Sequence, residues 1–193
     1  MAEMLEWPQD KAMLIKHPKT VFGRNDSMVV PVGKTVIVVK NSDFSPVYRE
    51  GDSPVLQKGL FKQQADVYMI DVQASNPLEW GIGDIRFRDK RCGMNGKLTL
   101  QVVSVNKFLT KYITHALPLT AETILGELFG SIAELIRREL VLFESGEDIS
   151  EAALRERLAS SVADVSADGL EDYGLAIVNM TIEPLFYPDE QEA

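Results

Sequence analysis

Apolar residues change their spacing twice along this chain, and the change restricts the fold more than any single motif does. Over Glu79–Arg88, Ile85 and Phe87 alternate with Asp84, Arg86 and Arg88. Over Lys97–Val105, Leu98, Leu100 and Val102 alternate with Lys97, Thr99 and Gln101. A period of two marks a strand with one wet face, so these segments are expected to pair antiparallel. Asp89–Gly96, which carries Gly93, Gly96 and several charges, is expected to be the hairpin loop between them. After Asn106 the spacing becomes helical. Ile124, Leu125, Leu128, Phe129, Ile132, Leu135, Ile136, Leu140 and Phe143 recur every three or four residues, a broad apolar stripe. From Leu175 to Tyr187 the chain returns to a strand pattern.

The remaining elements fit around this frame. Ala12–Lys16, Ser27–Val30 and Thr35–Lys40 are short apolar runs separated by turn residues, and Asn41-Ser42-Asp43 is a further turn. Gln64–Val72 alternates, yet neither of its faces is purely polar, which predicts a strand covered on both sides. Phe108, Leu109, Tyr112 and Ile113 predict a short amphipathic helix. Thr120 is placed to cap the long helix, with Glu134 and Arg138 as an i,i+4 pair and Ser145-Gly146 as its stop. A second long helix is expected from Ser150, stapled by Ile149, with Leu154, Leu158, Val162 and Val165 on its apolar face and Gly174 just past its end. Strands, then helices, then a last strand describe an α+β fold, with helices on one side of a mostly antiparallel sheet. The division expected is a strand-rich subdomain over 1–119, a helical subdomain with a terminal strand over 120–188, and an acidic tail over 189–193.

Charge narrows the function. The net charge is −9, of which residues 1–119 contribute +4 and residues 120–193 contribute −13. An acidic chain of this kind argues against nucleic acid as a ligand. The polarity suits head-to-tail self-association, although acidic solvent faces on the helices would produce it as well. One cysteine, Cys92, allows no intramolecular disulfide and fits a reducing compartment. Met1–Asp10 lacks the basic start of a secretory signal, and no apolar run approaches the ~18–20 residues that span a bilayer. The placement expected is therefore cytoplasmic, with any membrane contact peripheral.

No catalytic constellation emerges. His17, His115 and Cys92 are far apart in sequence, with no ligand spacing for a metal and no nucleophile elbow, and they read as two surface histidines and a loop thiol. Gly81-Ile82-Gly83 lacks both the third glycine and the following helix of a dinucleotide site, so no cofactor is expected. Arg86, Arg88, Lys90 and Arg91 form a basic cluster around Phe87, a candidate contact for an anionic headgroup or a partner, or else a solvated hairpin.

The stretch from Glu79 to Val103 resembles a signature segment of the SPFH (band 7, stomatin–prohibitin–flotillin) family, in the bacterial subgroup likened to a virion core protein. Trp80, Gly81, Ile85, Phe87, Arg88, Asp89, Gly93, Met94 and Leu98 fall on its positions, with Asp84 where the family has proline. Leu5-Glu6-Trp7, Ile15-Lys16-His17-Pro18, Ser27–Val30 and Tyr173–Val178 agree in order with further family segments. Trp80, Gly81, Phe87, Asp89, Gly93 and Met94 thus serve as a fold signature. The resemblance implies a curved antiparallel sheet flanked by helices, and a protomer that forms homo-oligomers. It also implies a non-enzymatic scaffold that gathers protein partners near a membrane, here cytoplasmic and peripheral at the inner membrane. The alternative it implies is a component of a phage-like or shell-like particle.

Overall fold

Hydrogen-bond pairing sorts the strands into separate sheets, and these fall into two compact units: residues 1–73 with 105–120, and residues 74–104 with 121–193. The computed structural model describes residues 3–4, 11–23, 26–56, 62–88, 90–144 and 150–188. The Leu5-Glu6-Trp7 match, Asp89, the Ser145-Gly146 stop, the Ile149 staple and the 189–193 tail lie outside the described residues. The fold is α+β, with antiparallel sheets and three helices among the described residues. A boundary at 119/120 does not describe it. Strands 78–102 join the helical half because their hydrogen-bond partner is the last strand of the chain, and the helix at 105–112 returns to the first unit.

In the first unit the elements are β1 (Glu3–Met4), β2 (Leu14–Lys16), β3 (Val21–Phe22), β4 (Asp26–Ser27), β5 (Lys34–Lys40), β6 (Asp43–Phe44), β7 (Gln63–Gln64), β8 (Asp66–Asp71) and α1 (Val105–Tyr112). A four-stranded antiparallel sheet runs β2-β8-β5-β6, beside the short pairs β1–β4, which is parallel, and β3–β7. β8 is internal, and Val67, Tyr68, Met69 and Ile70 are all buried, so both of its faces are covered. One face joins a core of Ile15, Phe22, Met28, Val36, Val38, Leu56, Val67 and Met69. The β5–β6 turn has only Asn41 and Ser42 between paired residues, with φ of 50° and 68°. Positive φ at both positions matches the twist of a two-residue hairpin. The segment after α1 is tied to β2 by Leu119 N donating to the Leu14 carbonyl at 2.9 Å.

Asp26 locks a turn in this unit. Its carboxylate accepts from Gly23 N at 2.7 Å and from Lys19 Nζ at 3.0 Å. The Gly23 amide, then Lys19, hold the carboxyl below the usual carboxylate range, against the opposing effect of burial. A depressed folded pKa adds stability that is present above the unfolded value and lost as pH falls through the folded one. Asp26→Asn is therefore expected to flatten the acid limb of stability below about pH 4. Urea midpoints measured across pH 2–6 check this, and an unchanged acid slope would count against it.

In the second unit, β9 (Leu78–Phe87), β10 (Lys90–Val102) and β11 (Leu175–Ile182) form an antiparallel sheet with β10 in the middle. α2 (Ala121–Glu144) and α3 (Glu151–Glu171) contact each other, and they contact β9 and β11 respectively, so they lie across one face. Two bulges shape this sheet. Cys92 pairs with Ile85 and Met94 with Ile82, leaving Gly83 and Asp84 opposite the single Gly93. Thr99 pairs with Asn179 and Leu100 with Ile177, which makes Val178 an extra residue. Each extra residue shifts the alternation by one. Ile82 and Ile85 are consequently both buried, as are Ile177 and Met180.

The hairpin differs from the sequence expectation. Lys90 already pairs with Phe87, so the loop is two residues, and Cys92, Gly93, Met94 and Gly96 lie inside β10. Gly96 belongs there because β11 comes very close. A Cβ at that position would sit 1.9 Å from the Thr181 carbonyl oxygen. The last strand stops at Ile182 before Pro184, which has no N–H to donate. Phe186 then rejoins the sheet edge through paired hydrogen bonds with Gly93.

The helices follow their capping chemistry. The Ser150 hydroxyl accepts from Ala153 N at 3.3 Å, which caps α3. Gly174, at φ 69°, ends it, with its N–H donating to the Glu171 carbonyl. Val165 is 38% exposed, and Ser166 takes the inward position expected of it. Nor does Arg138 pair with Glu134. It meets Glu139 at 3.3 Å, while Arg137 reaches Glu134. Glu139 is buried and accepts from Ser161 Oγ at 2.7 Å, a polar tie between α2 and α3.

Candidate functional site

The four cations singled out in the sequence converge at one place, the tip of the β9–β10 hairpin. Arg86 and Arg91 are direct cross-strand partners, and Lys90 faces Phe87. Arg86, Arg88, Lys90 and Arg91 are all exposed, whereas Phe87 points inward and is buried. Like charges set directly opposite destabilise an antiparallel pair. Part of that cost is offset by Asp84, whose carboxylate lies 2.7 Å from Arg91 Nε. The Arg88 guanidinium stands 5.2 Å from the Phe87 ring centroid, and Lys90 Nζ stands 5.6 Å from that of Tyr187. Arg88 has φ 49°, which suits the first position of a two-residue hairpin loop.

The signature residues divide between core and backbone roles. Trp80, Phe87 and Met94 are buried on the helix-facing side of the sheet. Gly81 lies on the exposed side of β9, and Gly93 sits opposite the β9 bulge and bonds to Phe186. A shallow groove of about 650 Å³ runs here, lined by Gly81, Ile82, Gly93, Met94, Pro184 and Phe186. Nothing in it but Glu183 and Asn95 carries a polar side chain.

Two residues of this site escaped the sequence reading. Asp84 joins the cations because the bulge turns it outward at φ 56°, and its only sequence signal is the Gly83-Asp84 step. Tyr187 arrives through the Gly93–Phe186 bridge, for which local sequence carries no signal.

Each residue weighed for catalysis has its own local setting. Cys92 is not a loop thiol but a buried residue of the central strand. His17 is not at the surface either: it is 4% exposed, and its Nδ1 accepts from Lys19 N at 3.1 Å. His115 is half-buried against the Tyr112 ring. Among the described residues no group of three or more His, Cys, Asp or Glu side chains is placed to hold a metal ion. A cleft in the first unit, lined by Asn41, Ser42, Asp66 and Tyr68, has its charge already engaged, because Lys16 Nζ lies 2.9 Å from Asp66. Burial pushes the Tyr68 hydroxyl above its usual pKa, and the hydrogen bond to Asp66 raises Lys16. Among the described residues no helix is long and apolar enough to cross a membrane. Compared with known proteins, the chain matches no protein-family model and no curated protein.

Proposed function

We propose that this chain is a non-enzymatic scaffold or interaction module of the SPFH type, which self-associates and gathers protein partners at or near a membrane. One observation carries the reading. The segment that resembles the family, Trp80 to Met94, folds as a hairpin whose apolar set supports the core while its tip presents four cations to solvent. That arrangement offers a contact surface. Contacts of this class need about 1,000 Å² or more to be specific. The cytoplasmic, membrane-peripheral placement belongs to the same proposal.

Light scattering after size exclusion tests it. At low salt the mass is expected to exceed the 21.5 kDa protomer at least about twofold, and to fall towards it at high salt, where charge contacts are screened. A protomer mass at every concentration and salt would remove the scaffold reading. Closed particles of uniform size would assign the chain to the shell-like alternative.

A further inference from the structure

The second unit carries opposite charge at its two ends. Its basic end is the hairpin tip, with Arg86 and Arg91 facing each other across the strands. Its acidic end is the C-terminal half of α3 with the turn that follows. Asp164, Asp168 and Asp172 are exposed there and have no ion-pair partner among the described residues. After Arg157 the chain has no lysine or arginine at all. No basic residue lies in the last turn of α3, although the negative end of the helix dipole favours one. Asp168 and Asp172 therefore sit where the helix itself repels them.

Topology keeps the two ends apart. β10 runs from Lys90 at the tip to Val102, which pairs with Leu175, three residues past Asp172. At ~3.3 Å per residue the strand separates the ends by about 40 Å. That is several times the ~8–10 Å screening length at physiological salt, so neither end neutralises the other within one unit. α3 runs back along β11, since Arg155 Nη1 donates to the Ile182 carbonyl at 2.9 Å, and this fixes its C-terminal half at the far end. Opposite charges held at opposite ends of one sheet are a geometry for contact between copies.

We propose that the basic hairpin tip of one copy docks on the acidic C-terminal half of α3 in a second copy. The proposal rests on the scaffold reading and names the surface that reading requires. Repeated head to tail, such a contact builds rings or filaments, and made reciprocally between two copies it closes a two-fold dimer. Each end also exposes an apolar side chain that the contact can cover, Phe186 beside the sheet edge and Val165 on α3, at 47% and 38% exposure. Polar rims around small apolar centres are usual at protein interfaces.

A charge swap tests this. One variant carries Arg86→Glu with Arg91→Glu, and the other carries Asp164→Lys with Asp168→Lys. Both alter exposed side chains, and Asp168→Lys suits the helix dipole, so far-UV circular dichroism is expected to stay native. Each variant alone is expected to drop to the protomer mass at low salt by light scattering. An equimolar mixture is expected to regain the wild-type mass, because the reversed tip meets the reversed helix. If the wild type assembles and either variant assembles equally well, the proposal is overturned while the scaffold reading stands. A mixture of natively folded variants that stays monomeric overturns it too. So does a tip variant that keeps self-association but loses sedimentation with phosphatidylglycerol vesicles, which would give the tip to a membrane. A wild type that never assembles removes both readings.

Discussion

Gly96→Ala is expected to destabilise the second unit by about 3–5 kcal/mol, among the largest effects a single methyl group can have. The added Cβ would lie 1.9 Å from the Thr181 oxygen and 2.9 Å from its carbonyl carbon. Both atoms are backbone, and Gly96 is held on its other side by pairing with Trp80. No side-chain rotation relieves the clash, so the strands must part or slip. A slip by one residue would turn every buried side chain of β11 to solvent. Gly126→Ala is the matched control. A Cβ there meets nothing within 4 Å, and the residue lies in α2. Relieving a glycine within a helix is expected to stabilise by up to about 1 kcal/mol. Urea midpoints followed by far-UV circular dichroism distinguish the pair, and a native midpoint for Gly96→Ala would contradict the close approach of β10 and β11.

The second large effect belongs to the other unit. Phe22 is 0% exposed although it lies on a two-residue strand, and it sits in the cluster with Met28, Val36 and Met69. Removing its ring is expected to cost about 3–5 kcal/mol, combining lost burial with the cavity left behind. Val32→Ala, at a position 71% exposed, is expected to stay within about 0.5 kcal/mol. If both variants unfold at the same urea concentration, Phe22 is not an anchor of this core.

These contrasts also mark what could be read from the chain. The two-sided burial of β8 was legible because Val67, Tyr68, Met69 and Ile70 leave no polar face. Helix α3 announced itself through Ser150 and Gly174, since capping is local chemistry. The bulges were not legible, because an unpaired residue depends on what lies opposite. Gly83-Asp84 and Val178 become extra only once β10 is in place. For the same reason Asp89–Gly96 looked like a loop: glycines and charges fit a turn, but Gly93 and Gly96 serve a bridge and a close backbone approach inside a strand. The division of the chain followed long-range pairing, which composition does not encode. At the candidate site, the four cations were visible as a cluster, while Asp84 and Tyr187 came to it only through tertiary pairing.

Cys92 gives this sheet a built-in clock. It is the chain's only thiol, 1% exposed, and it sits in the middle strand opposite Ile85 beside the bulge. A thiol reagent reaches it only during the moments when β10 separates from its neighbours. Where reclosing outpaces the reagent, the labelling rate measures the free energy of that opening, and where it does not, the rate measures the opening itself. That buried side chain thereby reports how often the hairpin beneath the charged tip lets go.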